Sequence, residues 1–511
     1  MKTLKSWVRQ NRNELIWLGI ILVIGAVMRF WRIGEYMTFL GDEGRDAIIV
    51  RRLLVDFDPI LIGPGTSIGN MYIGPLYYYL IAPALLLANF SPVGPSMLIA
   101  LIGVVTIGMV WWIGRSWFGK SGALLAAFLY AISPTVIIFS RASWNPNVMP
   151  FFALLMMYAI WMVWEEKKLW WLAMASVCFA FVLQSHWIGL LLGPLAGVYW
   201  LLTLRDEKWG GSVKRFVCIS AVSLGIFLVL MSPLLIFDMR HGWINFTNMK
   251  TFFTVRQTTV SARPWNAVPQ MWPLFIQVIT RLVAGRNVLV GQWAAVGLAG
   301  ILVWLWGQKK AVFESKQRKA FVILILWMFF GLVGLGVYKQ HIYDHYFGFL
   351  FPVPYLILAG MIEYLLRQKG LRGTWIVVTA MVILVWANLT DNPLRNPPAG
   401  QLDRTVKIAR LIEKESGGEK FNLAVIAERN YEDAYQYFLE NWNTKVIDID
   451  PVNTEETITD NLFVVCEKLT TECDPTHNPK AEVANFGWSQ VGDTWEVDGV
   501  TIYKLVHYEN E

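Results

Sequence analysis

The run Leu15-Ile16-Trp17-Leu18-Gly19-Ile20-Ile21-Leu22-Val23-Ile24-Gly25-Ala26-Val27-Met28-Arg29-Phe30 is followed shortly by Phe39-Leu40-Gly41-Asp42-Glu43-Gly44-Arg45-Asp46. The first stretch, with its flanks, supplies the roughly 20 residues that a helix needs to cross a bilayer. The second is crowded with charge: Asp42, Glu43, Arg45 and Asp46. In hydrocarbon each ionised side chain costs roughly 2.5–3.5 kcal/mol, so this stretch belongs just outside the membrane core, where a carboxylate stays hydrated. A carboxylate pair with an arginine close behind suits a base, a metal or a phosphate. It equally suits the start of a solvated helix, with Asp42 as N-cap and Glu43 in the first turn.

The same kind of apolar run recurs along the chain. Of 511 residues, 55% are hydrophobic and 16% charged, against about 25% charged in soluble domains. The protein is therefore read as a polytopic α-helical membrane protein. The 26 tryptophans suit a membrane protein, because indole favours the lipid–water interface. A net charge of +6 reflects lysines and arginines in loops. There is no basic tract interleaved with aromatics, so nucleic acid is not a partner. Met1 to Arg12 is basic and no small-residue cleavage site follows, which reads as a retained signal-anchor span.

Candidate spans lie at 15–33, 94–114, 121–140, 148–164, 169–186, 188–204, 216–237, 290–307, 320–338, 345–365 and 374–390, about eleven crossings at bilayer length. The connecting stretches 115–120, 165–168, 205–215, 308–319 and 367–372 are basic, and the positive-inside rule makes them cytoplasmic with the N-terminus. Two further apolar stretches, 72–90 and 268–284, must then not cross; counting 72–90 would move Arg115 and Lys120 outside. Both are rich in proline or aromatics and suit helices at the outer interface. This topology collects the polar outer loops on one face: 34–93, 140–147, the segment around Gln184-Ser185-His186-Trp187, 238–289, and Lys339-Gln340-His341-Ile342-Tyr343-Asp344-His345-Tyr346. The spans themselves carry almost no charge, which weighs against a transporter.

Beyond Asp391 the composition turns polar. Asn392-Pro393 and Asn396-Pro397-Pro398 read as a linker. A helix over 402–414 and strands at 421–427, 444–449, 462–466 and 501–507 describe a small extracytoplasmic α/β domain, giving units 1–391 and 392–511. Cys178 and Cys218 lie in apolar runs as packing residues; Cys466 and Cys473 form either a disulfide or two free thiols.

An N-terminal span, then Asp42-Glu43, then Gly74-Pro75-Leu76-Tyr77-Tyr78-Tyr79-Leu80 resembles the GT-C glycosyltransferases, in particular the family 39-like group of protein mannosyltransferases and lipid A aminoarabinose transferases. Gly114-Arg115-Ser116-Trp117-Phe118-Gly119 before Ala123-Leu124-Leu125-Ala126-Ala127, then Ser133-Pro134, Ser140-Arg141, and His345-Tyr346 with Pro352, fall in the same order. The resemblance covers about residues 10–390. It implies a GT-C fold with interfacial helices in the first outer loop. It also implies transfer of a sugar from a polyprenyl-phosphate-linked donor to a hydroxyl or phosphate of a lipid, glycan or protein acceptor. That chemistry would take place on the extracytoplasmic face of the plasma (inner) membrane. No cofactor is implied; a divalent metal is compatible with the acids but not required by them.

By this resemblance Asp42 is the general base or acceptor-orienting acid, with Glu43 beside it. Arg45 stands where the aminoarabinose transferases bind carrier phosphate, and guanidinium matches phosphate oxygens. The lysine that those enzymes carry before the proline-leucine is Gly74 here, which leaves Lys339 and His341 as substitute phosphate ligands. The second-loop acid of many relatives is replaced by Asn145 and Asn147, amides that bind a sugar but cannot act as a base. Arg141 with Trp144 could hold phosphate and stack on sugar, or anchor the interface. His186, His345 and Tyr346 could line the cavity or pack structurally. Arg240, His241 and Trp243 open the fourth loop, where relatives bind acceptor. The alternatives to a transferase are a lipid or sugar transporter and a non-catalytic membrane scaffold.

Overall fold

Lipid offers no partner for a backbone N–H or C=O, so each apolar run must satisfy its own backbone, and it does so as helix. The computed structural model describes residues 4–66, 71–210, 212–254, 259–261, 263–307, 314–368 and 370–508. Lys309 and Lys310 of the basic stretch 308–319, and Lys369 of 367–372, lie outside the described residues. Among the described residues seven helices are long and apolar enough to cross: Arg12–Phe30, Val93–Trp117, Asn145–Trp164, Trp187–Glu207, Val213–Arg240, Ser315–Gly336 and Gly370–Thr390. Asp344–Leu350 and Pro352–Arg367 are an apolar helix pair bent by 52°, the geometry of a broken span or a re-entrant loop. Three expected spans are shorter: Lys120–Ile132, Trp171–Ser185 and Val288–Val303. The first stops at Ser133 because Pro134 opens a separate short helix, Pro134–Ile138.

The two stretches expected not to cross form short helices. Leu76–Leu87 has 12 residues and a proline inside, a rise of about 18 Å against a hydrocarbon core of about 30 Å. Val268–Leu282 buries Leu274, Phe275, Val278, Ile279 and Leu282 while Val268 and Trp272 stay exposed, the pattern of a helix lying along a surface. Tryptophan follows the interface rule only in part. Trp117, Trp161 and Trp327 are fully buried, and the first two pack ring to ring at 5.0 Å.

Polar contacts sort onto two faces. At one, Glu14 meets Arg115 at 2.5 Å and Lys120 at 3.5 Å, Glu363 holds the Gly122 N–H, and Lys316 and Lys319 pair with Glu166 and Glu165. These are the basic loops of the sequence. At the other end of the Arg12–Phe30 helix, Arg141 donates to the carbonyls of Met28 and Trp31 at 2.6 and 2.7 Å, satisfying groups that a helix C-terminus leaves open. Two buried residues, Glu363 and Arg29, depart from the expectation of nearly charge-free spans among the described residues. Arg29 is fully buried, with its Nη1 on the Gly25 and Ala131 carbonyls.

Among the described residues the four strands lie near the C-terminus, in the order β1-β2-β4-β3: β1 is Asn422–Ile426, β2 Asn461–Cys466, β3 Ser489–Val497 and β4 Val500–His507. β1 and β2 are parallel, and the other pairs antiparallel. The run 444–449 is not a strand. It touches β1's flank through one bridge, Phe421 to Val446, and then turns away. β3 escapes a hydrophobicity reading because it is an edge strand whose residues are mostly exposed. Its signal was the turn Asp498-Gly499, both at positive φ (48° and 77°), which suits a tight hairpin. Cys466 and Cys473 form a disulfide.

This C-terminal unit rests on the membrane part. Helix Asp433–Asn441 packs on helix Gly41–Val55. Phe39 meets the rings of Tyr437 and Phe438 at 6.2 and 5.5 Å, and Arg52 pairs with Glu440 at 2.7 Å.

Candidate active site

Helix Gly41–Val55 opens from an extended Leu40, whose N–H donates to the Glu43 carboxylate at 3.0 Å. Glu43 thus caps the helix from its first turn, and the N-cap residue is Leu40 rather than Asp42. It is 8% exposed. Burial pushes its carboxyl up to about 8, against the opposing pull of the Leu40 N–H. Asp46 is also buried, and burial raises it to about 6 while Arg45 pulls it down.

Asp42 differs from both. Its side chain is 42% exposed, and it pairs with Arg45 Nη1 at 2.9 Å. Tyr431, from the C-terminal unit, donates its hydroxyl to Asp42 at 2.5 Å and accepts from Arg45 Nη1 at 3.3 Å. All of these contacts use Oδ1 of Asp42; Oδ2 has no hydrogen-bond partner among the described residues. Arg45 also reaches Asp46 through Nε and Nη2 at 3.1 and 2.8 Å. Of the acids on this turn, Asp42 is the one whose side chain stays open to solvent.

The Leu76–Leu87 helix joins this cluster to a second. Tyr78 donates to Asp46 at 3.2 Å. Its neighbour Tyr77 shares a 2.7 Å hydrogen bond with Ser143. Next to Ser143, the Trp144 ring lies 4.7 Å from His345. His345 in turn meets Tyr346 at 4.5 Å and His186 at 6.0 Å, and His186 meets Tyr346 at 5.2 Å. His186 and Tyr346 also line an apolar cavity of about 200 Å³ with Leu190, Leu191 and Phe252. Arg281 and Arg286 reach Asp344, beside this cluster, at 3.3 and 3.7 Å.

The remaining expected residues divide. Asn145 is buried and spends its amide on the Ser185 carbonyl at 2.6 Å, bracing the His186 turn. Asn147 donates to Ala142 at 2.8 Å. Arg141 is 3% exposed and committed to the helix end, with its guanidinium 5.0 Å above the Tyr36 ring; that geometry is the anchoring role. Lys339 and His341 are exposed and line a cavity of about 600 Å³ with Asn266, Gln270 and Gln277, and the His341 ring meets the Tyr343 ring, which stacks on His345. His241 stacks on Phe237 at 4.1 Å. Gly74 has a packing reason: a side chain there would run into Gln184, whose Oε1 accepts the Leu76 N–H at 3.3 Å.

Tyr431, Asn430, Asp46, Tyr77, Tyr78 and Ser143 were not singled out from sequence as site residues. A signal for the first two was present in Gly41 and Gly44. A Cβ on Gly41 would overlap the Tyr431 ring, and one on Gly44 would overlap the Asp433 backbone. Among the described residues no group of three or more His, Cys, Asp or Glu is placed to hold a metal ion.

Comparison with known proteins bears on the whole arrangement. The structure is similar to the crystal structure of ArnT from Cupriavidus metallidurans bound to undecaprenyl phosphate, with a TM-score of 0.59 over 98% of each chain at 14% identity. The chain has the GT-C glycosyltransferase fold. Archaeal oligosaccharyltransferase AglB from Archaeoglobus fulgidus, in complex with an inhibitory peptide and a dolichol-phosphate, matches at TM-score 0.53 and 12% identity, over 90% of this chain and 70% of that one. The mycobacterial arabinofuranosyltransferase AftD matches at TM-score 0.52 and 13% identity, over 98% of this chain and 42% of its own. The family model of dolichyl-phosphate-mannose-protein mannosyltransferases matches residues 73–237. No curated protein matches by sequence.

Proposed function

We propose that this GT-C chain transfers a sugar from a polyprenyl-phosphate-linked donor to a hydroxyl or phosphate of a lipid, glycan or protein acceptor. The observation that carries this reading is the half-exposed Asp42 carboxylate, held beside Arg45 at the edge of a GT-C bundle. Asp42 Oδ2 takes the acceptor proton as the acceptor oxygen bonds to the anomeric carbon. The bond from that carbon to the phosphate oxygen breaks, and the polyprenyl phosphate leaves with the electron pair. Arg45 holds a phosphate oxygen; one of its five N–H groups remains after Asp42, Asp46 and Tyr431 are served. Because Asp42 and Asp46 already answer its charge, a phosphate needs a second cation. Lys339 and His341 supply it, with His186, His345 and Tyr346 lining the path and Asn145 and Asn147 bracing it.

The site face is extracytoplasmic and the basic face cytoplasmic, in the plasma membrane. The disulfide in the C-terminal unit supports this side, since disulfides persist in oxidising compartments. The test is incubation of membranes holding the full chain with radiolabelled undecaprenyl-phosphate mannose, glucose, arabinose and aminoarabinose, followed by tracing of the label. Transfer from one carrier to a lipid, glycan or protein fraction supports the reading and separates hexose from pentose. Label that crosses sealed vesicles still on its carrier refutes it in favour of transport.

A further inference from the structure

Tyr431 reaches Asp42 from the end of a long strut. β1 and β2 are parallel, and the loops after them leave the sheet at the same end, where open α/β sheets present functional groups. Glu467, just past β2, is tied by its N–H to the Ile426 carbonyl at the end of β1. Its carboxylate accepts from Asn430 Nδ2 at 2.5 Å and from the Tyr435 hydroxyl at 2.6 Å. Asn430 Oδ1 then accepts the Gly41 N–H at 2.9 Å and the Tyr431 N–H at 3.0 Å. One amide thus clamps the first residue of the acid helix to the residue whose hydroxyl holds Asp42. The disulfide to Cys473 closes the loop that begins with Glu467.

We propose that Tyr431 is a positioning residue of the GT-C site, supplied by the C-terminal unit, which fixes Asp42 through Oδ1 and leaves Oδ2 as the oxygen that receives the acceptor proton. This rests on the reading of Asp42 as the base. Two donors on one oxygen set the carboxylate plane, and a base must be aimed within hydrogen-bond reach of the proton that it takes. The hydroxyl's other contact is the Nη1 of Arg45, the second donor to the same Asp42 oxygen. The hydroxyl is not needed to hold the unit down, because Phe39, Gly44 and Arg52 make separate contacts.

The experiment compares wild type, Tyr431→Phe, Asp42→Asn and the double variant in the full chain, using the radiolabelled undecaprenyl-phosphate sugar that wild type consumes. Phenylalanine keeps the ring against Gly41 and removes the hydroxyl. The expected result is a fall in kcat of about tenfold or more, the scale of a misaimed catalytic group, with donor KM unchanged. In the Asp42→Asn background the same change should cost far less, because the short Tyr431 contact is to Asp42 at 2.5 Å and its contact from Arg45 is the longer one at 3.3 Å. Asn430→Ala should reproduce the selective loss of kcat by releasing the loop. Wild-type kcat in Tyr431→Phe overturns the inference while leaving Asp42 in place. An equal loss in both backgrounds also overturns it, since that is a structural effect. Full turnover in Asp42→Asn overturns the underlying reading and the inference together.

Discussion

Asp42→Asn separates chemistry from folding at this site more cleanly than any other change. The side chain is 42% exposed and its ion-pair partner Arg45 is 25% exposed, so the lost charge interaction is worth about 1 kcal/mol or less. Asparagine keeps an Oδ1 that can accept from Tyr431 and Arg45, so the shape of the site persists. What disappears is the ability of Oδ2 to take a proton. Loss of a general base typically costs about 10²–10⁴-fold, several times the free energy of the folding effect. Turnover of the labelled donor should therefore fall by that factor or more, while direct donor binding and thermal stability stay near wild type. Glu43→Gln is the internal control. Its amide oxygen can still accept the Leu40 N–H, and burial already favours the uncharged carboxyl, with the group raised to about 8. Its turnover should change only a few-fold. Near-wild-type turnover for Asp42→Asn, or a larger defect in Glu43→Gln, refutes the assignment of the base.

Arg45→Ala should raise the apparent KM for the lipid-phosphate donor about ten- to a hundredfold, the scale of a charge-assisted hydrogen bond; it should also lower kcat, because Asp42 loses a partner. An unchanged donor KM in a folded protein would move the phosphate to Lys339 and His341. A reporter fused after Glu511 should be active only in an extracytoplasmic assay, and cytoplasmic activity would overturn the topology together with the outward site. Glu43, Asp46 and Asp433 are all raised by burial, to about 8, 6 and 7. Each then binds its proton more tightly in the folded chain than unfolded, so the stabilisation is complete near pH 4 and is lost as pH rises through 6 to 8. Melting temperature in detergent should fall across that window, and Glu43→Gln should flatten the upper part; a curve that rises with pH would contradict the burial of these groups.

The membrane fold was legible because its rules are local. About twenty apolar residues need no distant partner to become a span, and loop charge fixes the two faces. Charge bookkeeping and proline content, rather than hydropathy, set 76–87 and 268–282 apart from the spans, and both form short helices. Asp42 stood out because four charges directly after a span are costly in hydrocarbon, and the structure shows its side chain partly exposed beside Arg45. Tyr431 was not, since its hydrogen bond spans 389 residues and no local pattern announces it. Gly41 and Gly44 did carry a trace: glycines on either side of an acid pair leave room for another chain segment to touch down. Arg141 shows the opposite failure. An arginine beside a tryptophan at a membrane edge fits phosphate binding and helix capping equally well, and only the position of the Met28 and Trp31 carbonyls decides between them. β3 was hidden for a further reason, because an exposed edge strand has no apolar face to display.

One helical turn holds three acids whose roles are set by burial alone. Asp46 lies deepest and is matched to Arg45 and Tyr78; Glu43 is turned back onto the chain as a cap; Asp42 faces outward. A lipid-borne donor must approach from the bilayer, where an ionised carboxylate is expensive, yet a base must remain ionised to work. Setting the acid on a short helix just beyond the span resolves the conflict from below. From above, an acid open to bulk water would be free to swing and to serve water as well as an acceptor. The C-terminal unit answers this by laying Tyr431 over one oxygen and leaving the other uncovered. On the proposed reading of Asp42 as the base, the C-terminal unit is part of the site, and Gly41 and Gly44 on either side of Asp42 and Glu43 leave the room that lets it come so close.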